Sequence, residues 1–83
     1  MTATPMTETD ALGAATAALD ATRRAWWKAR VVVDLMRAAS DDYDSAELDA
    51  AVIDRDVKLK ANEAAIAAFT IAWAAAFVPP VRA

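Results

Sequence analysis

Four apolar residues spaced seven apart, Leu12, Leu19, Trp26 and Val33, are followed by a second such set, Val52, Leu59, Ile66 and Trp73. An apolar repeat of seven is the mark of α-helices packed side by side, because 3.5 residues per turn keeps the repeat on one seam. Between the two sets lies the polar run Ser40-Asp41-Asp42-Tyr43-Asp44-Ser45. Two helices separated by one short polar stretch predict an antiparallel hairpin.

Cap chemistry supports the boundaries. Thr7-Glu8-Thr9-Asp10 offers a hydroxyl cap and early acids to a helix N-terminus, and Asp44-Ser45-Ala46-Glu47 reads as a capping box. Pro79-Pro80 stops the second helix. The expected single domain therefore has an arm at 1–6, a helix at 7–39, a loop at 40–45, a helix at 46–78 and a tail at 79–83. Each helix is then roughly 33 residues, or about 50 Å, long.

Charges suggest a register. With Leu12 and Val52 at heptad position a, Arg23, Arg30 and Arg37 fall at e of the first helix, and Asp49, Asp56 and Glu63 at e of the second. The pairs Arg37/Asp49, Arg30/Asp56 and Arg23/Glu63 have residue numbers that all add to 86, as an antiparallel alignment requires. The matching core layers add to 88: Leu19 with Phe69, Trp26 with Asn62, Val33 with Arg55, Met36 with Val52. Polar Arg55 and Asn62 at d positions read as register-setting residues.

The other flank is small and apolar. Ala18, Ala25, Val32, Ala65 and Ala72 occupy g positions, and Leu35, Ala61 and Ala68 the neighbouring c positions. A lone hairpin leaves such a surface wet, so the expected architecture is an all-α, coiled-coil-like antiparallel two-helix hairpin completed by self-association into a bundle or by docking in an assembly. Trp27 points away from the seam occupied by Trp26 and joins this list of partner-interface candidates, since exposed Trp and Arg dominate interface energetics.

Composition excludes most chemistry. The chain has no cysteine, no histidine and one glycine, Gly13. That removes thiol nucleophiles, the common zinc patterns, the usual neutral-pH acid–base group and any glycine-rich phosphate loop. The acids Glu47, Asp49, Asp54, Asp56 and Glu63 lack the Glu-x-x-His spacing of di-iron bundles. No catalytic residue, cofactor or metal is expected. Net charge is −3, which disfavours bulk attraction to nucleic acid. Residues 64–81 carry no charge, but many are alanine and two prolines cut the helix early, so a buried bundle helix is favoured over a membrane anchor.

The expectation is a non-enzymatic structural or protein-interaction protein: a small subunit of a bacterial or phage assembly, or a regulator or inhibitor of another protein. Its expected partner is protein, either itself or a larger assembly, in the cytoplasm or a virion. One alternative is a small inner-membrane-associated protein anchored by its C-terminal helix. The other rests on architecture alone: a hairpin that dimerises resembles the RNA-binding Rop-type proteins of plasmid copy control, and this alternative would place RNA on the arginine face. The resemblance covers no sequence motif, and fold likeness does not transfer function.

Overall fold

Thr7 starts the first helix. Its hydroxyl accepts from the Asp10 backbone N–H at 3.1 Å, and the Thr7 N–H donates back to the Asp10 carboxylate at 3.3 Å. These bonds satisfy two groups that a helix start would otherwise leave unpaired. A computed structural model describes residues 7–39 and 43–77. It contains α1, Glu8–Ala38, and α2, Ser45–Phe77. Asp44 starts α2 as the sequence predicts: its carboxylate accepts from the Glu47 N–H at 2.7 Å, and Glu47 accepts from the Asp44 N–H at 3.3 Å. At the end of α1 the Ala39 N–H closes on the Leu35 carbonyl at 3.0 Å. The arm at 1–6, loop residues 40–42 and the Pro79-Pro80 stop lie outside the described residues.

The chain is an all-α helical hairpin, with α1 and α2 packed against each other. On α1 the seam follows the predicted a and d positions. Leu12, Ala15, Leu19, Thr22 and Trp26 are half-buried, and Ala29, Val33 and Met36 are buried. On α2 the seam differs from the expectation. Leu48, Ala51, Val52, Arg55, Lys58, Leu59, Ala65, Phe69, Ala72 and Ala76 are half-buried and Asn62 is buried, whereas Ile66 and Trp73 are 47% and 48% exposed. The d and g positions of α2 are thus covered along its length while a is covered only at Val52 and Leu59, so the seam is rotated towards g, most clearly in the C-terminal half.

The register differs too. Thr22 Oγ1 lies 3.2 Å from Asn62 Oδ1, and the residue numbers 22 and 62 add to 84. The helix ends, Ala38 and Ser45, add to 83. Relative to the core layers expected from the heptads, which add to 88, α2 has slid by four residues, about 6 Å.

Packing explains both shifts. At a sum of 84, Leu12 comes level with Ala72, Ala15 with Phe69, Leu19 with Ala65 and Val33 with Ala51. Large side chains then meet small ones, the condition for dense interdigitation. Half-buried Trp26 comes level with Lys58, and half-buried Arg55 with the small Ala29, where its stem has room. Buried Asn62 meets the Thr22 hydroxyl instead of Trp26. A buried amide without a partner costs about 1–3 kcal/mol, whereas an exposed ion pair contributes about 0–1 kcal/mol, so the polar layer outranks the surface charges.

Candidate partner-binding surfaces

The hairpin buries very little. Among the described residues only Ala29, Val33 and Met36 form a buried apolar core, and Asn62 is the buried polar residue. Eleven large hydrophobic residues remain exposed, from Trp27 on α1 to Phe77 at the end of α2. The two broad faces of the hairpin present most of this surface, so each is a candidate site.

The first is the alanine face. Ala18, Ala61 and Ala68 are exposed, as are Val32 at 49% and Leu35 at 64%. Ala25, Ala65 and Ala72 are half-buried instead, because the rotation of α2 and the close approach of α1 draw them towards the seam. Charge also interrupts this face. Lys58 Nζ donates to both Asp54 oxygens at 2.7 and 2.8 Å, and Lys28, Asp54 and Lys58 line a recess with Ala21, Arg24 and Val32. The g and c positions therefore make two apolar patches divided by a polar bridge, not one continuous apolar strip.

The second is the arginine face. Arg23, Arg30 and Arg37 line its α1 edge and are exposed. Across from them on α2 runs the row vacated by the rotation: half-buried Val52 and Leu59, then exposed Ile66 and Trp73. The Trp73 and Phe77 rings pack at a tilt of 44° with centroids 5.5 Å apart, extending the apolar row by one turn. Asp49, Asp56 and Glu63 lie one row further out and are exposed.

None of the pairs Arg23/Glu63, Arg30/Asp56 and Arg37/Asp49 is an ion pair in the hairpin. Among the described residues the ion pairs are Arg55–Asp56 at 3.3 Å and Lys58–Asp54. The cause is the rotation, which sets an apolar row between the arginines and the acids. The arginines make other contacts. The Arg30 guanidinium sits 5.8 Å from the Trp26 ring and 5.4 Å from the Trp27 ring, a double cation–π contact. Arg23 and Arg24 join the two tryptophans around an open recess. Trp27 is 56% exposed and contributes to this face, not to the alanine face.

Ile53, Val57, Ile71 and Phe77 are exposed apolar residues outside the candidate surfaces expected from the sequence, and Ile66 and Trp73, expected in the core, are exposed as well. A signal was present. Ala51, Lys58, Ala65 and Ala72 form a seven-residue series as regular as Val52, Leu59, Ile66 and Trp73. A ranking by hydrophobicity prefers the second set, while a ranking by fit to Leu12, Leu19, Trp26 and Val33 prefers the first.

Among the described residues no cluster of three or more Asp or Glu side chains is placed to hold a metal ion. No described helix is long and apolar enough to cross a membrane. The sequence matches no family model, and no curated protein or solved structure is significantly similar to it.

Proposed function

We propose that this chain is a non-enzymatic protein-interaction or structural protein whose hairpin is completed by another polypeptide. One observation carries the reading: three buried apolar side chains against eleven exposed large ones among the described residues. A chain of this size is marginal even when it forms a compact core, and contiguous exposed apolar surface marks a protein or membrane contact. The absence of a described membrane-spanning helix favours protein over lipid. The alternation of arginine, acid and aromatic rows on one broad face supports the same reading, since protein interfaces combine aromatic anchors with a charged rim.

Purification at native expression level tests it. The chain is expected in a species larger than its 8.8 kDa monomer, either with itself or in a stoichiometric complex. A well-folded monomer with no associated protein contradicts the reading.

A second reading draws on one observation. Arg23 and Arg24 flank an open recess with Trp26 and Trp27, an arrangement that suits a stacked base. The net charge of −3 and the acidic row on α2 oppose it. An RNA shift that is lost on charge reversal of Arg23, Arg30 and Arg37, with helicity kept, supports it; no shift with the wild-type chain ends it.

A further inference from the structure

We propose that the occupant of the arginine face is a second copy of this chain, related by a two-fold axis along the hairpin, so that Arg23, Arg30 and Arg37 of each copy meet Glu63, Asp56 and Asp49 of the other. The inference deepens the protein-interaction reading and rests on it.

Charge complementarity identifies the partner. The three arginines and three acids occupy one broad face at intervals of seven residues, and their numbers add to 86 in every pair. Inside the hairpin, facing residues add to 84, as Thr22 and Asn62 show. Each arginine therefore sits within two residues, about 3 Å, of the level of its acid. Yet none of these pairs closes within the chain, because Val52, Leu59, Ile66 and Trp73 run between the two rows. Three matched levels with no contact in cis are what a trans interface requires.

Symmetry follows from the levels. A two-fold axis parallel to the hairpin lays α1 of one copy over α2 of the other without changing level, so each arginine meets its own acid. Both loops then lie at the same end. A two-fold axis perpendicular to the hairpin and lying in the interface would instead lay α1 over α1 with the levels reversed, and bring Arg30 and Arg37 over Thr16 and Thr9 at the open half of the partner. The charge pattern selects the first arrangement.

The apolar content fits the same occupant. Leu59, Ile66 and Trp73 form the row between the charges, and a second copy on this face covers that row in both chains at once. Asp56 holds Arg55 through Oδ1 only, which leaves Oδ2 for the partner. Asp20 and Asp34 lie one turn from the arginines on α1 and offset part of their charge, so the ladder needs all three pairs to set partner choice.

Two triple charge reversals test the proposal. One replaces Arg23, Arg30 and Arg37 with Glu; the other replaces Asp49, Asp56 and Glu63 with Lys. Wild type is expected to sediment as a dimer. Each reversed chain alone is expected to be monomeric at the concentration where wild type is fully dimeric, and an equimolar mixture is expected to form a heterodimer. If both variants misfold alone, the mixture still reports, because complementary chains regain helicity together under the proposal. Dimers of either reversed chain, or a mixture that stays unpaired, overturn the charge ladder; they leave the interaction reading standing if wild type self-associates. A wild-type chain that stays monomeric at millimolar concentration overturns the second copy as occupant, while the native-level purification decides the broader reading.

Discussion

Val33 is the one large side chain with no solvent exposure, and the register set by Thr22 and Asn62 brings it level with the small Ala51. Truncating it leaves a void that two long helices cannot easily close. Val33→Ala is expected to cost about 2 kcal/mol, read from denaturant midpoints at fixed protein concentration. The polar layer is a second residue-scale test. Thr22→Val removes the hydroxyl opposite Asn62 and is expected to cost about 1 kcal/mol, because the buried amide loses its cross-helix partner. Gly13 has the opposite sign. A methyl group there meets nothing within 4 Å, so Gly13→Ala is expected to stabilise by up to about 1 kcal/mol in the same assay.

At the scale of the helix, much was legible in the sequence and one part was not. The starts of α1 and α2 follow from Thr7 with Asp10 and from Asp44 with Glu47, because capping chemistry is local. Asp44→Ala is accordingly expected to cost about 1 kcal/mol and to increase fraying at the start of α2, visible as faster amide exchange there. The seam of α1 was equally legible, since Leu12, Leu19, Trp26 and Val33 admit one apolar stripe. The seam of α2 was not. Its residues supply two heptad series one position apart, and 24 alanines in the chain make a small-residue seam look like a surface. Only the fit between partners chooses, and fit is a property of two helices, not of one. The same ambiguity hid the arginine face, whose apolar row consists of residues read as core.

For the whole molecule, the two shifts change where partners are expected. The alanine face loses Ala65 and Ala72 to the seam and gains a polar bridge from Asp54 to Lys58. The arginine face gains Ile66, Trp73 and the Trp73–Phe77 ring contact, and its charges remain unpaired with one another. A two-helix unit with three buried apolar side chains has little stability to lose, so completing its surface matters more here than any single substitution. Association couples to folding by mass action, which makes stability depend on protein concentration.

Thermal unfolding across a hundredfold range of concentration tests this claim most directly. Completion by a second copy predicts a melting temperature that rises steadily with concentration, with helicity falling at the dilute end. A cooperative transition at one temperature throughout that range, from a species that sediments as a monomer, would contradict it.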